Sequence, residues 1–346
     1  MKKKSLLLFL GLALAITSCT KDPIITDPST TSPTYPVPPT NDGDDDLIPD
    51  FGEYNIPTEY QDYYKSIDFS KKGMELKKQL AQLITKTHTP LTYTPGIWDA
   101  SEITDEDPNN TNNVLLIYSW PDKDVTEKNS TYKRSVAKED KNNGTSSKPQ
   151  TQLWEREHVF AKSLAIDKSK KQGALEAGTK DNTPPALSAT EYVAGHDAHH
   201  LRPINRSVNS SRGNKKFVDG SGNSGSKGVD MWYPGDEWRG DVARMMMYMH
   251  IRYENENGGG YTKATKVGKP IDSKNGILSD EMIDLFLKWN AEDPVDDFER
   301  KRNKYHGDKG NLGAQGNRNP FIDNPQLANQ IWGMADKYKA ENTWAK

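Results

Sequence analysis

The chain has 346 residues, with 46 Lys and Arg against 49 Asp and Glu, a net charge of -3 and one cysteine. One cysteine makes neither an internal disulfide nor a cysteine-rich zinc module, and a hydrophobic fraction of 33% is too low for a multispanning membrane protein. A globular body with its own core is what the composition leaves.

In chain order, Lys2, Lys3 and Lys4 precede a short apolar run, Leu6 to Ile16, that falls below membrane-spanning length, and Thr17 and Ser18 put small residues before Cys19. Residues 1–18 resemble a bacterial lipoprotein signal peptide. The resemblance implies cleavage before Cys19 and a lipid on its thiol, anchoring the mature chain in the bacterial cell envelope without spanning a membrane. Residues 19–52 are rich in Pro, Thr and Asp, including Pro36-Val37-Pro38-Pro39 and Asp44-Asp45-Asp46, and read as a disordered tether. The first fifty residues hold four lysines against seven aspartates, so acids and bases balance in the body that follows, residues 53–346. A neutral body does not bind polyanions by bulk charge; a nucleic-acid partner would need a local positive patch.

The body reads as mostly helix with a few strands. Apolar residues at 76, 80 and 83 have the spacing of an amphipathic helix. Val114 to Tyr118 is short, continuous and β-prone, hence a buried strand, and residues 121–150 and 164–194 are polar loops. Val242, Met245, Met246, Met249 and Tyr253 form a helical stripe over Asp241–Tyr253, in which the methionines fill core. Ser279, with Glu281 just inside, opens another helix through Leu287.

Chemistry concentrates in two stretches. The first is Trp154-Glu155-Arg156-Glu157-His158-Val159-Phe160; the second is Asp197-Ala198-His199-His200-Leu201-Arg202-Pro203, running on to Val208-Asn209-Ser210-Ser211-Arg212. Neighbours on a strand face opposite ways, so Glu157 and His158 diverge unless the strand ends and bends there, which points to a site at a strand terminus. The second stretch reads as a strand, a turn at Pro203 and a helix on which Asn209 and Arg212 share a face. Between His200 and Lys216 lie Arg202, Arg206, Arg212, Lys215 and Lys216 with no acid, the local patch that a neutral body requires.

These motifs resemble those of the bacterial endonuclease I family, whose core is the ββα-metal, or His-Me finger, nuclease motif. Further matches are Arg239-Gly240-Asp241-Val242-Ala243-Arg244, Tyr248-Met249, and Gln315-Gly316-Asn317-Arg318-Asn319-Pro320-Phe321-Ile322-Asp323, so the likeness covers roughly residues 60 to 335. It implies an α+β fold, a mostly helical body around the ββα core, and a metal-dependent endonuclease with little sequence specificity that leaves 5′-phosphates. It assigns His158 as general base, which suits an imidazole with an ordinary pKa of about 6.5. Glu157 and Asn209 become the ligands of one divalent cation, Mg²⁺ with Mn²⁺ or Ca²⁺ as substitutes, and Arg212 and Arg202 the phosphate-holding catalytic residues. The expected substrate is DNA and, as in some members, RNA; the expected membrane contact is through the lipid on Cys19 alone, and a monomer is expected.

Two rivals use other residues. A zinc hydrolase would take its metal on His196, His199 and His200, and a surface-anchored polymer-binding protein would use the tether with the Trp and Tyr side chains and show no turnover. Arg318 and Asn319 serve either a phosphate or a turn. The family's secreted members use disulfides to brace the fold in some cases; with Cys19 alone, bracing here comes from packing.

Overall fold

The computed structural model describes residues 51–161, 194–253, 284–333 and 338–345. The expected signal peptide, nearly all of the 19–52 tether and of the 164–194 loop, and the helix start at Ser279 lie outside them. Helices α1 (Thr58–Tyr64), α2 (Gly73–Thr87) and α3 (Gly96–Thr104) lead into an antiparallel meander of β1 (Glu106–Asp107), β2 (Asn110–Leu115) and β3 (Ser135–Ala137). The antiparallel pair β4 (Trp154–His158) and β5 (Leu201–Asn205) runs directly into α4 (Arg206–Arg212). Strands β6 (Lys216–Phe217), β7 (Gly225–Ser226) and β8 (Met231–Tyr233) form a small mixed sheet in the order β6-β8-β7. Then come α5 (Arg239–Tyr253), α6 (Asp284–Glu292), α7 (Asp297–Gly307), α8 (Pro320–Asp323) and α9 (Gln326–Trp332). Helices around small sheets make the fold α+β, as the sequence predicts.

The Met-rich stripe is part of a helix buried on every side: each residue of α5 from Gly240 to Tyr253 is enclosed. It packs against α2, α6 and α8. Unbranched methionines suit such a position because they fill irregular gaps between several neighbours. Helix α2 contributes Leu76, Leu80 and Leu83 at the predicted spacing, joined by Ile84, and each such burial is worth about 1.5–3 kcal/mol. Gly240 lets α5 begin tight against the residue after α6: a Cβ there would lie 2.3 Å from Asp293 O.

The two ends of the described body meet. Asn55 N–H donates to Trp344 O at 2.8 Å, and the buried Trp344 ring stands edge-on to Tyr54, Tyr64 and Phe69 at centroid distances of 5.7, 5.3 and 5.4 Å.

Three expectations change in detail. β2 begins earlier than the apolar run and stops at Leu115, because the polar Asn110 to Asn113 pair in the meander; Leu116 to Tyr118 continue buried, with Ile117 N–H donating to Pro203 O at 2.9 Å. The stretch from 121 to 150 carries β3 and short 3-10 turns, elements too brief for periodicity to reveal. Pro203 marks no turn and lies inside β5 opposite Arg156. Its carbonyl faces Ile117, so the N–H it lacks falls on the side away from β4 and costs the pair no hydrogen bond.

Candidate active site

β4 and β5 pair in the register Glu155↔Ile204, Glu157↔Arg202 and His158↔Leu201, and Val159 N–H to His200 O at 3.1 Å extends the ladder past the strand end. α4 follows without a loop because Asn205 caps it, its side chain accepting from Ser207 N at 2.9 Å and Val208 N at 3.4 Å, a device worth about 1 kcal/mol. Gly213, at φ 54°, ends the helix.

Strand alternation then sorts the side chains of β4. Glu155 and Glu157 face α4. Trp154, Arg156 and His158 face the other way: Trp154 meets Trp98, and Arg156 lies 3.6 Å from the Tyr93 ring centroid and 4.2 Å from that of Trp98. His158 stacks on the same Tyr93 ring at 5.6 Å and 25°. The expected convergence of imidazole, carboxylate and amide is therefore only partial. Carboxylate and amide share the α4 side, whereas the imidazole occupies the opposite face at the end of the strand.

Glu157 is buried. Tyr118 Oη donates to its Oε1 at 3.3 Å, and Arg212 Nε stands 3.3 Å from the same oxygen. Burial pushes its carboxyl up to about 7, with the Arg212 charge and the Tyr118 hydrogen bond pulling the other way. Asn209 donates its Nδ2 to Glu155, not to Glu157. Glu155 is itself held by Asn142 Nδ2 at 2.9 Å and Arg206 Nε at 3.1 Å. His158 has Nε2 at 3.2 Å from Gly195 O. A carbonyl only accepts, so Nε2 carries a proton, and in the neutral ring Nδ1 is then the basic nitrogen.

The two arginines expected on the phosphate are otherwise engaged. Arg202 is fully buried, its Nε 2.5 Å from Asp105 Oδ1 and its Nη1 3.0 Å from Asp241 Oδ2, and Asp105 also receives Arg302 at 3.2 Å. These contacts make it a structural ion-network residue. Arg212 gives Nη2 to Val159 O at 2.6 Å and Nη1 to Gly213 O at 2.8 Å, which ties the end of α4 to the residue after His158 and leaves no fork for a phosphate. Arg206 pairs with Glu155, so of the five bases in the patch Lys216 alone is exposed, while Lys215 is half-buried and gives its Nζ to Ser211 O; both line a cleft of about 330 Å³ past Gly213. The patch that looks continuous in sequence is mostly neutralised in space.

The histidines of the zinc reading diverge. His196 Nδ1, His199 Nε2 and His200 Nε2 meet the carbonyls of Leu91, Asn317 and Ala194 at 3.2, 3.0 and 2.7 Å, and no trio of His, Cys, Asp or Glu side chains able to hold a metal occurs among the described residues. Arg318 pairs with Asp323 at 2.6 Å, and Asn319 caps α8, so both serve the turn.

For a hard divalent cation the donor set at β4 and α4 fits. Among the described residues nothing hydrogen-bonds to Glu157 Oε2 or Asn209 Oδ1, both are oxygen ligands on the α4 side, and a buried carboxylate that its one arginine does not fully compensate favours a further positive charge. The sequence reading missed Tyr118, Glu155 and the Gly195 carbonyl. Glu155 was legible, since strand alternation puts it on the face of Glu157 two residues on; Tyr118 and Gly195 carry no local signal.

The chain matches the family model described as Endonuclease I over residues 72–326. It is similar to an extracellular ribonuclease of Bacillus subtilis (strain 168), 36% identical over 282 residues that cover 78% of each chain. It is likewise similar to an extracellular ribonuclease of Bacillus amyloliquefaciens, 38% identical over 279 residues, again 78% of each chain.

Proposed function

This chain belongs to the endonuclease I family, and from that premise we propose that it is a metal-dependent endonuclease that hydrolyses RNA and DNA with little sequence preference and leaves 5′-phosphates. The observation that carries the reading is the β4-β5-α4 unit itself, with Glu157 and Asn209 on its inner side and His158 at its end.

The substrate phosphate lies across the C-terminal end of β4, where the two faces of the strand come within reach of one group. His158 takes the proton of the attacking water at Nδ1, its Nε2–H staying on the Gly195 carbonyl and keeping the ring in one tautomer. Glu157 and Asn209 would hold the cation through oxygen; a bound Mg²⁺, or Mn²⁺ or Ca²⁺ in its place, would supply charge relief at the phosphate and the leaving 3′ oxygen. Arg212 acts through its field on Glu157 rather than by clamping the phosphate. Lys215 and Lys216 take neighbouring backbone phosphates, each adding a salt-sensitive increment of affinity.

Attack by water does not use the 2′-hydroxyl, so the mechanism serves both sugars, and the names of the two Bacillus relatives weight the substrate toward RNA. The resemblance of residues 1–18 to a lipoprotein signal peptide supports a cell-envelope location, and Cys19→Ala should move the enzyme from the membrane fraction to the soluble one.

The deciding experiment incubates the full chain with end-labelled RNA and with DNA of the same sequence, with Mg²⁺ or with chelator. Cutting of both, abolished by chelator and leaving 5′-phosphates, is the expected result. RNA-only cutting that ignores chelator and leaves 2′,3′-cyclic ends would replace this mechanism with attack by the 2′-hydroxyl.

A further inference from the structure

Tyr118 is the one non-glycine residue among those described whose backbone is left-handed, at φ 64°. A bulky side chain is strained there, and such conformations persist only where the surroundings impose them. The surroundings do so from several sides. Ser224 Oγ donates to Tyr118 O at 2.6 Å, Trp238 Nε1 donates to Ser119 O at 2.9 Å, and Trp120 Nε1 donates to Ser224 Oγ at 3.0 Å. The reversal of the backbone accompanies a fully buried phenol whose hydroxyl reaches Glu157 Oε1 at 3.3 Å.

The other oxygen ligand has a comparable partner. Asn209 gives its Nδ2 to Glu155, and Glu155 is fixed in turn by Asn142 and Arg206. An amide that spends its NH₂ on a carboxylate must turn its carbonyl oxygen the other way, because the two ends of the group are about 120° apart on one carbon. In both cases the hydrogen bond occupies the atom that the cation does not need.

We propose that Tyr118 and Glu155 are positioning residues for the divalent-cation site: Tyr118 sets the carboxylate of Glu157 so that Oε2 faces the ion, and Glu155 sets the amide of Asn209 so that Oδ1 does. Neither touches the ion. The inference rests on the cation reading of Glu157 and Asn209 given above. It explains why a strained tyrosine is held so firmly, and why an acid stands two residues before the ligand on the same strand face. Outer partners of this kind orient metal ligands, and their loss ordinarily weakens metal affinity or activity about 10–100-fold.

The test titrates Mn²⁺ into the metal-stripped full chain and follows free Mn²⁺ by electron paramagnetic resonance, with thermal midpoints of the metal-free proteins as a folding control. Tyr118→Phe removes one hydroxyl and Glu155→Ala removes the acceptor for Asn209; each is expected to raise the Mn²⁺ dissociation constant about 10–100-fold. Glu155→Gln keeps one acceptor oxygen for Asn209 and should bind more tightly than Glu155→Ala does, an outcome that loss of charge alone does not produce. Saturating Mn²⁺ should restore most of the cleavage rate in Tyr118→Phe and Glu155→Ala, separating positioning from chemistry. If Asn209→Ala and Glu157→Ala abolish binding while Tyr118→Phe and Glu155→Ala bind as wild type does, the positioning roles are wrong and the cation site stands. If the wild type takes up no Mn²⁺, the cation reading fails and these roles fail with it.

Discussion

Two fully buried carboxylates, Asp197 and Glu157, have opposite fates. Asp197 receives His199 N at 2.9 Å, Gln315 Nε2 at 3.0 Å and the hydroxyls of Tyr248 and Tyr253, each at 2.7 Å. Burial raises its carboxyl, but the facing His88 and His199 imidazoles and the Gln315 hydrogen bond outweigh that and hold it below the ordinary carboxylate range. Glu157 has one long hydrogen bond and one arginine at 3.3 Å, and burial wins. A carboxylate saturated with donors fastens a fold, because every lone pair is spoken for. One left partly unsatisfied at a strand end is suited to receive an ion or a proton.

The sharpest way to break this contrast is to exchange the outcomes. His158→Ala, which removes the general base, and Glu157→Gln, which weakens the cation site, should each lower cleavage about 10²–10⁴-fold, while nucleic-acid affinity, read by fluorescence anisotropy in chelator, changes little. Asp197→Ala should instead act on stability. It leaves two tyrosines and an amide without their acceptor in the core, and urea denaturation should show a loss of about 3–5 kcal/mol. A catalytic defect in Asp197→Ala without destabilisation would erase the distinction between the two sites.

The pH dependence separates them further. Burial pushes His200 down to about 4 and His88 to about 3, whereas both titrate near 6.5 when unfolded. Between pH 4 and 6.5 the unfolded chain binds more protons than the folded one, so these groups make stability rise with pH, and their contribution is lost as pH falls through the folded values. Glu157 works in the reverse sense. Its folded value of about 7 lies above the 4.5 of the free group, so the proton it keeps stabilises the fold at low pH, and that gain is lost as pH rises from 4.5 through 7. Removing the acid in Glu157→Gln should therefore steepen the rise of stability with pH over the shared window, as read from urea midpoints. The smallest effect belongs to the surface: Lys215→Ala and Lys216→Ala should each lower the salt slope of nucleic-acid binding by about one and affinity a few-fold.

Much of this arrangement was open to sequence reasoning where one element speaks for itself. The leucines of α2 and the methionines of α5 follow from periodicity, and the ββα order of Glu157, Leu201 to Pro203 and Asn209 from the resemblance to the endonuclease I family. What stayed hidden is pairing at a distance. Nothing near Arg202 announces that Asp105, Asp241 and Arg302 will enclose it, and five bases in a row look like a phosphate-binding surface until Glu155 and Glu157 arrive from another strand. Pro203 misled for a related reason: proline is a turn signal locally, and only the orientation of its carbonyl toward Ile117 shows that the missing N–H is harmless.

The closure of the body at Asn55 and Trp344 has a mechanical consequence. A chain held through its N-terminal segment transmits any pull first to Tyr54, Asn55 and the ring cluster around Trp344, so the load is shared between the two ends of the domain before it reaches β4. The same contact sets Trp344 beside Tyr54 and Asn55, so a bulky group attached next to it would press on the ring cluster that closes the body.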